Sequence, residues 1–301
     1  MDSRLVSVII PTYNREAWLR HAIDSALGQT HRDIEVLVVD DGSTDGTHAY
    51  VTELERAHPV RLIRHEHCAN LSVLRNVGAR RSLGAYVALL DSDDLWLPAK
   101  IERQLAALTR NPACGWSYCN YTFMDENERD LAWQGREPWA ACGGWILEDL
   151  IRVRAQVAIS TVLVRRDVFD GIGGFDERLT WLEDYDLAVR LAEKSPASAQ
   201  AEPLVRRRER DRNPTWLLDV LRCANLVYGE LEQRVGSDAL RRACRDTRAR
   251  VSLDLVARCR RSGRSAEARR ALWQSFAYAG QRPRWWAELA RTAVRSLQPG
   301  S

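Results

Sequence analysis

Three carboxylates fall within four positions at Asp91, Asp93 and Asp94, directly after the apolar run Tyr86-Val87-Ala88-Leu89-Leu90. A short apolar run of this kind reads as a buried strand. A buried parallel strand delivers whatever follows it to the carboxyl edge of its sheet, where open α/β folds bind ligands. Carboxylates so close together do not all stay ionised without a counter-charge, and a hard divalent cation such as Mg²⁺ or Mn²⁺, which prefers oxygen ligands, supplies one. An acidic turn capping the helix that begins near Pro98 accounts for the same spacing. Two further acidic groups bear on the choice: Asp40 and Asp41 end another apolar run, and Glu183, Asp184 and Asp186 open a helix. Three such groups, two of them at strand ends, exceed what solubility requires. No G-x-G-x-x-G follows the first strand and no G-x-x-x-x-G-K-[ST] occurs, which removes the main support for nicotinamide, flavin or P-loop chemistry.

The elements that must position these groups alternate. Strands are predicted at residues 5–10, 34–39, 60–64 and 86–90. Helices are predicted from an Asn14 cap to Gly28, after Asp45 to about Ala57, over 70–83, and from Pro98. That order argues for an α/β fold with a parallel sheet. Pro11 should stop the first strand. Beyond residue 115, strands at 115–123 and 157–164 join in mixed orientation, beside a helix around 146–153. From the Asn213-Pro214 cap onward the chain reads as all-helical, with helices at 214–235, 238–261, 265–279 and 283–297.

Of 301 residues, 45% are hydrophobic and 28% charged, as in ordinary globular proteins. Seven cysteines with no Cys-x-x-Cys pair argue for reduced thiols in a cytoplasmic protein. No apolar stretch is long enough to span a bilayer, and no signal peptide is expected. Residues 1–204 hold 22 Lys and Arg against 31 Asp and Glu, a net −9, whereas residues 205–301 hold 22 against 10, a net +12. Such asymmetry suggests either a basic appendage facing an anionic surface or a well-solvated arginine-rich helical face.

The motifs Pro11-Thr12-Tyr13-Asn14-Arg15, Val39-Asp40-Asp41-Gly42-Ser43-Thr44-Asp45, Asp91-Ser92-Asp93-Asp94, and Gly174-Phe175-Asp176 with Glu183-Asp184-Tyr185-Asp186 stand in an order that resembles family 2 glycosyltransferases of the GT-A fold. The resemblance covers about residues 4–205. It implies a GT-A-type, Rossmann-like mixed central sheet flanked by helices over residues 1–208, with an all-helical basic region over 209–301. It also implies sugar transfer from a nucleotide-diphosphate donor, a UDP-sugar before others, to an acceptor hydroxyl with inversion, in cell-surface glycan or polysaccharide biosynthesis. Tyr13 would stack on the nucleobase, flanked by Pro11 and Thr12. Asp41 would accept from the base N3–H, a task suited to an acceptor-only group. Arg75, Asp91 and Ser92 would help hold the nucleotide. Asp91 and Asp93 match the family's Asp-x-Asp, and Asp93 or Asp94 would reach Mn²⁺ or Mg²⁺, which neutralises the diphosphate leaving group, with the other near the ribose. Asp184 would be the general base, with Glu183 orienting it and Asp186 as alternate. Each residue also has a plainer reading. Tyr13 can be a half-buried aromatic, Asp41 a helix cap and Arg75 a solvated arginine, and Thr180 with Glu183 forms a capping-box pattern.

The expected partners are the donor and a glycan or lipid-linked acceptor, with no nucleic acid. The glycine-containing approach to the family arginine is replaced by His65-Glu66-His67-Cys68-Ala69-Asn70, whose His-x-His beside a cysteine invites comparison with a metal site. Val205 to Arg208, after an expected edge strand, can lie near the diphosphate. In the last helix Trp285, Trp286, Leu289, Ala290, Ala293 and Leu297 share one side. That side either docks on the preceding helices or makes a peripheral contact with the inner face of the membrane. Two other classes fit parts of the pattern. One is a HAD-like phosphotransferase, whose nucleophile motif is also strand-Asp-x-Asp. The other is a non-catalytic nucleotide-sugar-binding protein.

Overall fold

A computed structural model describes residues 4–132, 141–209 and 217–295. The chain divides into two compact units, Met1–Leu150 with Arg154–Arg210, and Ile151–Val153 with Asp211–Ser301.

The first unit is built on a nine-stranded mixed sheet. Its parallel part comprises β1 (Val6–Thr12), β2 (Ile34–Asp40), β3 (Val60–Arg64) and β4 (Tyr86–Leu89). Helices α1 (Glu16–Leu27), α2 (Thr47–Leu54) and α3 (Leu71–Arg81) connect these strands. Every residue of β1 and β2 is buried, as expected of strands covered on both faces. Alternation sorts their side chains. Val8, Ile10, Val36 and Val38 share a core with Leu19 and Ile23 of α1, whereas α3 rests on the other face. There Gly78 lets the helix approach closely, since a Cβ would come within 2.6 Å of Ile9 Cγ2.

The remaining elements run in order β5 (Leu95–Trp96), α4 (Lys100–Arg110), β6 (Trp116–Met124), β7 (Asp130–Leu131), α5 (Leu147–Ile151), a 3₁₀ turn (Ile159–Thr161), β8 (Leu163–Arg165), α6 (Arg166–Gly171), α7 (Glu183–Lys194) and β9 (Ala197–Arg208). The strand order is β3-β2-β1-β4-β8-β6-β9-β5, with β7 beside β6.

Three expectations change. Pro11 does not stop β1 but lies within it, paired with Val39. The strand expected at 157–164 divides into the 3₁₀ turn and β8. The strand carrying Val205 to Arg208 is not at the edge: β9 lies between β6 and β5. It pairs in parallel with β6 from Trp116 to Met124, and antiparallel with Leu95 and Trp96.

The second unit contains α8 (Leu217–Arg234), α9 (Asp238–Arg261), α10 (Ser265–Ala279) and α11 (Pro283–Arg295). Ser237 caps α9 by accepting from the Leu240 N–H at 3.2 Å. The Asn213-Pro214 cap lies outside the described residues. The apolar face expected on α11 splits. Trp285 is fully buried and its indole N–H donates to the Leu272 carbonyl at 3.0 Å, whereas Trp286 is exposed. The side chain of Ala293 and all of Leu297 lie outside the described residues. No described helix is long and apolar enough to cross a membrane.

Candidate active site

β1 and β2 end side by side, with Thr12 opposite Asp40, so their following loops are neighbours and tie together. The Asn14 N–H donates to Ser43 Oγ at 2.9 Å, and Asn14 Oδ1 accepts the Thr44 N–H at 2.7 Å. Asn14 is therefore a cross-link between loops and not the cap expected of it. Its φ is +50°, and the Glu16 N–H at the start of α1 is met by Asp45 of the other loop at 3.1 Å. Tyr13 projects from this corner, 41% exposed, and stacks on His67 with ring centroids 4.2 Å apart. Pro11 and Thr12 are buried beneath it, and Thr12 Oγ1 has no hydrogen-bond partner.

Asp41 is 2% exposed and holds the loop at 65–70. Its Oδ1 accepts the Cys68 N–H at 2.8 Å and its Oδ2 the Ala69 N–H at 2.9 Å. Ala69 has φ +51°, a left-handed conformation that a glycine adopts without a Cβ penalty. The loop thus keeps a glycine-type turn on an alanine, with the Asp41 carboxylate fixing its N–H.

Past the end of β4, Asp94 Oδ2 accepts from the Ser160 hydroxyl at 2.6 Å and Oδ1 from the Arg208 N–H at 3.0 Å. Ser160 Oγ also accepts the Asp91 N–H at 3.1 Å. The 3₁₀ turn therefore fixes both ends of the Asp91-Ser92-Asp93-Asp94 turn. Ser92, Asp93 and Asp94 are buried, and Asp93 faces the Arg15 guanidinium at 3.4 Å. Burial, with the charges of Asp91 and Asp93 and against that of Arg207, pushes the Asp94 carboxyl up to about 7. The cluster already faces three guanidiniums, Arg75 on Asp91 at 2.7 Å, Arg15 on Asp93 at 3.4 Å and Arg207 on Asp94 at 4.0 Å. Its donors are all carboxylate oxygens, the set a hard divalent cation selects, so these residues fit Mn²⁺ or Mg²⁺.

Arg75 joins this cluster to the third acidic group. Its side chain is 1% exposed, with Nη2 2.7 Å from Asp91 Oδ1 and Nη1 2.9 Å from Glu183 Oε1. Burial alone would lower its pKa, but the two carboxylates outweigh that and hold it raised. The guanidinium is committed to protein carboxylates, so any hold it has on a nucleotide runs through Asp91. Phe175 lies beneath it, ring centroid 5.3 Å from the guanidinium carbon. Asn76 of α3 fixes Phe175 by accepting its N–H and donating to its carbonyl. Gly174, at φ +70°, is required there because a Cβ would come within 2.6 Å of Asn76 Oδ1.

Glu183 does not form the capping box expected with Thr180. The residue before α7 is Leu182, at φ +61°, with no side-chain cap, and the Glu183 carboxylate turns to Arg75. Burial raises the Glu183 pKa, Arg75 opposes the rise and Asp184 adds to it. Asp184 is half-buried, with Oδ1 accepting the Tyr185 N–H at 2.7 Å. Asp186 is paired with Arg190 of its own helix at 2.6 Å, which makes it a structural anion.

Two contributors to the site carry little or no signal in the sequence. Arg207 is held charged against its burial by Asp94, Tyr121, Asp184 and Asp91, and its guanidinium lies 4.9 Å from the Tyr121 ring centroid. It is a further cation beside Arg75 at this site, 4.0 Å from Asp94 Oδ2. Its only sequence signal was the basic run before residue 209. Ser160 carried no signal at all, since its role depends on the 3₁₀ turn meeting a strand end 66 residues away.

Residues 7–169, more than half of the chain, match the family model described as Glycosyl transferase family 2. The chain belongs to glycosyltransferase family 2. The phosphotransferase reading is thereby set aside. Among relatives of this family 2 chain, an uncharacterised glycosyltransferase of Rickettsia typhi is 32% identical over 214 residues, 71% of this chain and 66% of that protein. The Escherichia coli UDP-Glc:alpha-D-GlcNAc-diphosphoundecaprenol beta-1,3-glucosyltransferase WfgD is 35% identical over 127 residues, 42% of this chain and 49% of that protein. The match thus spans less than two thirds of either relative. The crystal structure of Staphylococcus aureus TarS 1-349 in complex with UDP-GlcNAc superposes with a TM-score of 0.68 at 18% identity, covering 95% of this chain and 80% of that one. This likeness shows that the family 2 chain has the GT-A fold.

Proposed function

We propose that this chain transfers a sugar from a UDP-sugar to an acceptor hydroxyl with inversion at the anomeric carbon, in the assembly of a cell-surface glycan or polysaccharide. The observation that carries the reading is the buried Arg75, which locks Asp91 and Glu183 into one unit. A donor corner and the start of α7 are then held in fixed register, as in-line attack requires. Tyr13 stacks on the base above Pro11 and Thr12, and Asp41 accepts from N3–H. The unpartnered Thr12 Oγ1 supports a polar ligand group at this corner. Asp91 and Ser92 hold the ribose end, and Asp93 and Asp94 hold the metal. When bound, Mn²⁺ or Mg²⁺ neutralises the diphosphate leaving group. Arg207 supplies further positive charge there. Asp184 takes the proton of the acceptor hydroxyl as its oxygen attacks, with Glu183 held by Arg75 to orient the helix start. WfgD, by its name, uses UDP-Glc and a lipid diphosphate, and TarS was crystallised with UDP-GlcNAc. Both favour a UDP-sugar donor and a lipid-linked or glycan acceptor here.

UDP-sugars should raise the thermal midpoint in an Mn²⁺-dependent way, by about 2.7 kcal/mol of added stability at a hundredfold excess over Kd, and GDP- and dTDP-sugars less. Asp93→Asn should abolish the metal dependence while leaving metal-free UDP binding. If no nucleotide sugar stabilises the protein, the donor assignment is wrong. Donor binding without transfer to any lipid-linked or glycan acceptor would instead favour a non-catalytic binding protein.

The helical unit makes peripheral contact with the inner face of an anionic membrane in this reading. Trp273, Phe276 and Trp286 are 61%, 48% and 55% exposed and cluster around the buried Trp285, in a segment, residues 211–301, with 18 Arg against 9 Asp and Glu, a net +9. Exposed tryptophans with arginines suit an interface of this kind. In vesicle flotation the wild type should float with anionic vesicles and the Trp273→Ala/Trp286→Ala variant should not. Equal flotation of both rules the contact out.

A further inference from the structure

The loop at 65–70 departs from the family pattern and brings chemistry of a different kind to the base end of the site. A ring nitrogen of His65, Sγ of Cys68 and a carboxylate oxygen of Asp41 lie within 4.8 Å of one another. The arrangement is braced by the backbone. The His65 N–H donates to the Asp40 carbonyl at 2.8 Å, and the N–H groups of Cys68 and Ala69 both donate to the Asp41 carboxylate. His67 closes the loop by placing Nδ1 3.0 Å from Asp41 Oδ2 while stacking on Tyr13. His65 and Cys68 therefore meet Asp41 because the fold holds them there.

The donor types decide the ion. Nitrogen, thiolate sulfur and oxygen together select a borderline-soft cation such as Zn²⁺, with bonds of about 2.0–2.3 Å, and three protein ligands leave a fourth position open. The oxygen-only cluster at Asp91 to Asp94 selects hard cations instead. The two clusters differ in both chemistry and place.

We propose that Asp41, His65 and Cys68 form a second metal site, selective for Zn²⁺-like ions, whose occupation withdraws Asp41 from the nucleobase and so inhibits donor binding. The inhibitory half rests on the assignment of Asp41 to the base, and the metal half does not. On binding, the Cys68 thiol proton is released to solvent and the sulfur donates a lone pair to the ion, with no change of oxidation state.

The test uses the full chain with reduced thiols and Co²⁺ as the probe. The wild type should develop a thiolate-to-cobalt charge-transfer band that is removed by added Zn²⁺, whereas Co²⁺ on the oxygen-only cluster gives no such band. Cys68→Ala should lose the band, and His65→Ala should bind about tenfold or more weakly, both with unchanged thermal midpoints in the absence of metal. Absence of the band in the wild type, or its persistence in Cys68→Ala, overturns the site. UDP titrations then read the second half: Zn²⁺ should raise the UDP Kd about tenfold or more in the wild type and leave Cys68→Ala unchanged. A UDP Kd indifferent to Zn²⁺ while the band is saturated overturns the competition. UDP binding by zinc-free protein is measured alongside, so failure of the donor assignment shows itself separately.

Discussion

Asp184→Asn is expected to lower the rate of sugar transfer by about 10²–10⁴-fold, the typical contribution of a positioned general base, while the affinity for the UDP-sugar stays unchanged. The substitution is nearly isosteric and keeps an oxygen for the Tyr185 N–H, which Asp184 Oδ1 accepts at 2.7 Å, so the start of α7 should hold its shape. What is removed is the proton acceptor. Single-turnover transfer, with donor binding measured by calorimetry, separates the two effects. A matching fall in donor affinity would mean that Asp184 serves the donor and not the acceptor. Glu183→Gln should behave differently. It weakens the contact with Arg75, so stability and rate should both fall. Transfer by Asp184→Asn at near wild-type rate would move the base elsewhere. Asp186 is the poorer alternative because Arg190 already holds it.

Arg75→Met should cost about 3–5 kcal/mol, the loss expected when one partner of a buried ion network is removed and the others are left uncompensated. At about 2–4 °C per kcal/mol for a unit of this size, the thermal midpoint should fall by roughly 10 °C. The guanidinium is 1% exposed and bridges Asp91 and Glu183 with separate nitrogens. Its loss leaves Asp91 and Glu183 each without the guanidinium nitrogen that now meets it. Arg75→Lys should not rescue, since one ammonium cannot reproduce the planar fork. Adding Glu183→Gln to the methionine variant removes one of the stranded charges and should recover part of the loss, a coupling that a double-mutant cycle measures. A loss below about 1 kcal/mol, the range of a surface pair, would show that the bridge is not formed in solution.

The acidic strand ends were legible because they are local. An apolar run followed at once by carboxylates must place those carboxylates at the sheet edge, and the run from Val36 to Asp41 and that from Val87 to Asp94 do so. The helices expected at 238–261 and 265–279 were legible for the same reason, since helical periodicity and helix ends are set within a turn or two. Where a side chain had a choice between a local and a distant partner, the sequence misled. Asn14 reads as a cap and Glu183 as half of a capping box, and each instead bonds a group from another loop or helix. Trp285 and Trp286 are chemically alike, and only packing against Leu272 and Ser275 buries the first and leaves the second outside.

By itself the sequence determined an α/β chain with three acidic groups in the order of family 2 glycosyltransferases, because strand and helix periods and the residues that follow them are short-range properties. The tertiary structure alone decided that Arg75 is buried between two of those groups, that Ser160 fastens the Asp91 to Asp94 turn, and that Arg207 comes within 4.0 Å of Asp94. Each of these depends on elements far apart in the chain meeting at one sheet edge. There burial makes an unpaired charge costly, so the partners that satisfy it are selected across the fold and not along the chain.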